Sequence, residues 1–201
     1  MKQDFLMKEY GLCFEQLRFY DNRHSDIQKF LFTLTSAVAT AQFAIYKFFQ
    51  TPTKGFFVCQ TFLSSIVFIA SALLFLSMLQ NRLYFVYITR QINAIRKFFL
   101  ETEAQEFKDN QLYTLTDFPA IKPFSVHTFQ LLGAALISSL FAGVSAYSIY
   151  PALDRPPCWW FAATVFLLVA LVEVIVGITY LALLGKKTAD EAIHGRSRKS
   201  T

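Results

Sequence analysis

Four long apolar stretches, at roughly 30–49, 56–79, 126–150 and 158–184, constrain this 201-residue chain more than any motif does. Each has about the 20 residues that a helix needs to cross a ~30 Å hydrocarbon core. Inside lipid every backbone N–H and C=O must be bonded within the protein, so a spanning segment is a helix or part of a closed barrel. These stretches lack the two-residue polar alternation of barrel strands. The expected fold class is all-α: a polytopic membrane protein with four transmembrane helices. Composition agrees, with 54% hydrophobic and 16% charged residues, against about 25% charged in a soluble domain. The first stretch is too long for the h-region of a cleavable signal peptide, and the polar segment before it is too elaborate for an n-region.

Charge is distributed by location. Five lysines and arginines lie in 1–29, six between the second and third stretches, and five after the fourth. Lys47, Lys54 and Arg155 are the three on the other side. Cytoplasmic segments carry the excess of Lys and Arg. Both termini and the middle segment are therefore expected in the cytoplasm, with "QTPTKG" and "PALDRPP" as short outer turns. Aromatic residues sit where interfaces are expected: Phe48, Phe49, Phe56, Phe57, Tyr147, Tyr150, Trp159 and Trp160 outside, Phe30, Tyr84, Phe85, Tyr87, Phe124 and Tyr180 inside.

Two of the helices are expected to continue past the membrane. Leu6, Tyr10, Cys13, Leu17, Tyr20, His24, Ile27 and Leu31 alternate in steps of four and three, a heptad stripe that crosses Lys29 without a Gly or Pro. The segment 1–29 therefore reads as one helix with the first span, 30–49. Beyond the second span, 56–79, Phe85, Ile88, Ile92, Ile95 and Phe99 form a matching stripe, predicting a helix to about residue 106 and a turn near "KDN". The two extensions are antiparallel and are expected to zip together. Within 80–124, the stretch "NQLYTLTDFPAIKPF" has two prolines and spaced apolar residues, the signature of an ordered, packed loop. The third and fourth spans are 126–150 and 158–184, Gly185 is a helix stop, and 185–201 is a basic tail.

Several residues are candidates for function. Glu173 is the one strongly acidic group deep in an apolar segment, a position that is costly and by default functional. It reads as a pore, proton or subunit-interface residue, or as a carboxyl hydrogen-bonded to a neighbouring helix. Ala135, Ser139 and Gly143 recur every four residues and let helices approach closely, within one chain or between copies. Glu15, Arg18, Asp21, His24, Arg90, Arg96 and Lys97 are the expected surface for a cytoplasmic partner or signal. Cys13, Cys59 and Cys158 match no zinc or redox spacing and read chiefly as small packing residues. Basic residues near the inner boundary suit anionic lipid headgroups. No phosphate-binding glycine loop, nucleophile elbow, carboxylate pair or metal-ligand cluster occurs, so no catalytic residue, cofactor, metal or small-molecule substrate is assigned.

In "FEQLRFYDNRHSDIQKFLFTL" and "NRLYFVYITRQINAIRKFF" the sequence resembles small bacterial four-helix membrane proteins carried beside anti-phage systems: retrons, cyclic-oligonucleotide operons and CRISPR accessory loci. The resemblance implies a non-enzymatic effector of the bacterial inner membrane that oligomerises and permeabilises it. The lipid bilayer and further copies of the chain are then its partners, with a cytoplasmic protein or nucleic-acid-containing complex as a trigger. The alternative is a membrane anchor or regulatory subunit for a cytoplasmic partner. A third reading comes from Arg18 and His24, whose spacing resembles the R-x4-6-H signature of HEPN ribonucleases. It implies a membrane-tethered nuclease with His24 as acid or base.

Overall fold

The computed structural model describes residues 2–102 and 114–185. It contains four helices, α1 (Lys2–Phe49), α2 (Lys54–Thr102), α3 (Val126–Ala152) and α4 (Trp159–Leu184), and no strand among the described residues. α1 is a single helix of 48 residues, unbroken at Lys29. α2 runs for 49 residues. The expected turn near residues 108–110 and the basic tail from residue 186 lie outside the described residues.

The helix ends follow from local chemistry. α1 stops where Gln50 enters the left-handed region, with φ of 54°, and Pro52 disfavours helix at the next residue, Thr51. Ser125 caps α3 by accepting the Thr128 amide with its hydroxyl. Pro151 falls in the last turn of α3, and Asp154 turns the chain with φ of 59°. An ion pair between Lys54 and Asp154 ties the start of α2 to the turn that follows α3. α4 ends at Gly185, whose amide donates to the Leu181 carbonyl at 2.9 Å.

The helices are shared between two compact units. The first comprises residues 1–24, 80–122 and 180–201, of which 2–24, 80–102, 114–122 and 180–185 are described. Here α1 and α2 run antiparallel along the expected stripes. Cys13, Ile88 and Ile92 form the centre, flanked by Tyr10, Phe14, Leu17 and Tyr20. Burying each large apolar side chain contributes about 1.5–3 kcal/mol. Polar contacts fix the register: Gln91 donates to Glu9 Oε1 at 2.8 Å, Arg96 Nε to the Tyr10 hydroxyl at 2.8 Å, and Asn81 Nδ2 to the Tyr20 carbonyl at 2.7 Å. Tyr20 and Tyr84 stack at 5.5 Å.

The second unit comprises residues 25–79 and 123–179. Three of the four helices, α2, α3 and α4, are long and apolar enough to cross a membrane. In α4 only 11% of the most apolar stretch is buried, and Leu167, Leu168, Leu171, Val172 and Ile175 are all exposed. The expected span in α1 falls short of the same apolarity because hydroxyls and an amide interrupt it. Thr33, Thr35 and Thr40 each donate to the carbonyl one turn back, and Gln42 donates to Ser64 at 2.9 Å.

Candidate functional site

In the first unit α2 is buried on a second face that the apolar stripe does not mark. Arg82, Val86, Arg90 and Asn93 recur in steps of four, four and three, and are 4%, 0%, 5% and 3% exposed. Opposite them lies the non-helical segment 114–122. Chain without helix or sheet bonds leaves its carbonyls to outside acceptor-seeking groups, because buried backbone must be paired. The α2 side chains supply the donors in order. Asn93 Nδ2 donates to the Leu115 carbonyl at 2.9 Å, Arg90 Nε to Phe118 at 2.8 Å, and Arg82 Nε to Ala120 at 3.2 Å. The segment is thus clamped along α2 at Leu115, Phe118 and Ala120.

The same clamp closes the end of α4. Arg90 Nη1 donates to the Gly185 carbonyl at 2.6 Å, and the Tyr87 hydroxyl donates to Leu184. Terminal carbonyls of a helix have no partner within it and carry the negative end of its dipole, so a guanidinium there is well placed. Gly185 is required by the fit: a Cβ on it would lie 2.3 Å from the Leu181 carbonyl oxygen and 2.7 Å from Ala120 Cβ. Burial lowers Arg82 to about 10, which leaves it protonated at neutral pH. Burial lowers Arg90 as well, partly offset by Tyr87 and Asp117. Burial also raises the Tyr87 phenol, with Arg90 opposing the shift.

In the second unit Glu173 is 8% exposed and faces α3. Ser138, fully buried, donates its hydroxyl to Glu173 Oε1 at 2.7 Å, and Oε2 has no hydrogen-bond partner among the described residues. Ala135 and Ser139 are 1% and 0% exposed, and the Ser139 hydroxyl turns back to the Ala135 carbonyl at 2.6 Å. Gly143 marks a close crossing with α4, since a Cβ there would lie 3.2 Å from Phe166 Cβ and 3.3 Å from the Ala162 carbonyl oxygen. Small residues here bring backbones together inside the unit. Ser65 and Ser145 share a hydrogen bond at 2.7 Å between α2 and α3.

The expected partner surface divides. Glu15, Arg18, Asp21 and Lys97 are exposed. Arg96 is half-buried, its guanidinium 5.7 Å from the ring centres of Tyr10 and Phe14. His24 and Arg90 are buried, at 3% and 5% exposure. Arg18 and His24 are not brought together in an accessible site: one is exposed and the other lies on the seam. Cys13 is buried, Cys59 exposed, and all three thiols are free. The grip of Arg82 and Asn93 on 114–122 was not foreseen from sequence: Arg82, Arg90 and Asn93 share one face of α2 at spacings of eight and three, but their partners are main-chain carbonyls, which leave no side-chain signal. No family model, no characterised protein and no solved structure matches the chain.

Proposed function

We propose that the chain is a four-pass integral membrane protein that acts by binding, as an anchor or regulatory subunit that holds a water-soluble partner on its first unit. The observation that carries this reading is the sorting of residues along α1. Cys13 and His24 are buried in the seam, while Glu15, Arg18 and Asp21 stand exposed on the same helix. A charged row on a rigid two-helix stem is a recognition surface that needs no chemistry of its own. Three apolar helices support the membrane placement, and α1 supplies the fourth span, its polar groups satisfied by its own carbonyls and by Ser64. Both termini lie on the cytoplasmic side in this reading, following the basic residues.

A second reading, the oligomeric effector that permeabilises the inner membrane in anti-phage defence, is favoured by α4. Its large exposed apolar surface suits other copies as well as lipid. One reconstitution separates the two. The full chain is placed in liposomes loaded with a fluorescent dye and in nanodiscs for mass measurement. Recovery of a single stoichiometric soluble partner, lost on reversal of Glu15, Arg18 and Asp21 and accompanied by no dye release, supports the anchor. A symmetric assembly that releases dye refutes the anchor and supports the effector.

A further inference from the structure

Arg82 is not used up by the clamp. A guanidinium offers five N–H donors in a planar fork. Among the described residues Arg82 makes one hydrogen bond, from Nε to the Ala120 carbonyl, and no ion pair. The rings of Phe85 and Phe118 lie 5.5 and 5.8 Å from it, occupying its surroundings with apolar atoms. The side chain is nevertheless 4% exposed, and burying a charge without a counter-charge is costly. Burial alone brings it to about 10, too little to discharge it at neutral pH. The Nη1 and Nη2 edge therefore carries a positive charge and donors that no acceptor fills and no acid faces among the described residues.

The place of this edge along α2 indicates its occupant. Arg82 stands three residues beyond Leu79, where the apolar stretch 56–79 ends, and two before Tyr84, a partly exposed aromatic of the kind that marks membrane boundaries. That is the depth of lipid headgroups. A guanidinium fork matches two oxygens of a phosphate. We propose that Arg82 is a phosphate-binding site, filled by the headgroup phosphate of an anionic phospholipid at the basic end of α2. This inference rests on the membrane placement given above. The apolar rings around the guanidinium would border the first carbons of the lipid chains, which a free phosphate lacks.

The test uses the purified full chain in detergent, with retained lipid read by native mass spectrometry and by thermal unfolding. The added probes are phosphatidylglycerol, phosphatidylcholine and inorganic phosphate. The expected result is preferential retention of phosphatidylglycerol and a rise in Tm with it alone. Arg82→Gln should weaken phosphatidylglycerol binding at least tenfold. Arg82→Lys, which keeps charge but loses the fork, should fall between, and covers the case in which Arg82→Gln does not fold. Arg155→Gln, in an outer turn, should bind as the wild type does. Equal binding by Arg82→Gln or by Arg82→Lys and the wild type overturns the site. An equal Tm rise with inorganic phosphate overturns the lipid as its source. Carbonate extraction reads the underlying placement separately: protein released from membranes refutes the membrane reading, whereas protein that stays but binds both lipids alike refutes this site alone.

Discussion

Replacing Arg90 by Gln should release the segment 114–122 without unfolding the two-helix stem. Arg90 donates to carbonyls in different parts of the first unit, Phe118 at 2.8 Å and Gly185 at 2.6 Å. Hydrogen bonds from a charged donor contribute about 1.5–3 kcal/mol each, so the pair sums to roughly 3–6 kcal/mol. The freed carbonyls belong to a surface segment and regain water on opening, which reduces the loss to about 2–4 kcal/mol. At 1.4 kcal/mol per tenfold, the open population rises by about 30-fold to several hundred-fold. Thermolysin cleavage between Ala120 and Ile121 reads this population when opening and reclosing are faster than the cut. Lys97→Gln, on the exposed side of α2, is the control and should cleave at the wild-type rate. An Arg90→Gln protein cleaved within two- to threefold of wild type, at about 1 kcal/mol or less, would refute the clamp as the restraint on this segment.

Two further outcomes follow from buried polar atoms. Burial, reinforced by the neighbouring Glu9 carboxylate, pushes the Cys13 thiol from 9.0 to about 11, so at pH 8 a maleimide should label exposed Cys59 and leave Cys13 untouched until the chain is denatured. The unfolded thiol ionises first, so stability from this group is whole below pH 9 and is lost as pH rises towards 11, a limb that Cys13→Ser should remove from unfolding curves. Ser138→Ala takes the hydroxyl donor from Glu173 Oε1 and should cost about 1–3 kcal/mol, seen as a lower Tm in detergent; a variant as stable as wild type would show that Oε1 finds another donor.

The antiparallel stem was legible because apolar residues at heptad spacing can bury only along one line. Leu6, Cys13 and His24 on α1, and Ile88, Ile92 and Ile95 on α2, lie there at 8% exposure or less. The second buried face of α2 was not legible. Arg82, Arg90 and Asn93 look like solvated or membrane-boundary polar residues, and their partners are main-chain carbonyls, which every residue possesses and no side-chain pattern reveals. The prolines of 114–124 predicted an ordered loop, yet nothing in their spacing says which donors would hold it. Glu173 was recognisable as an acid in apolar sequence, but Ser138 is one of several hydroxyls in α3, and only the packing of α4 on α3 selects it. The span expected in α1 is not among the three helices long and apolar enough to cross a membrane: its threonines lower the apolarity of the stretch, although their hydroxyls bond to the helix's own carbonyls.

Because the α2 donors grasp main-chain oxygens, the grip on 114–122 is blind to most of the side chains it displays. Leu115, at 58% exposure, can be exchanged without disturbing a single one of those bonds, whereas Asp117, also exposed, lends its charge to Arg90. Such a segment behaves like a fixed mount with interchangeable faces. Descendants of this sequence are free to diversify what they present to the outside world there, while the mount itself tolerates almost no change at Arg90, Asn93 or Gly185.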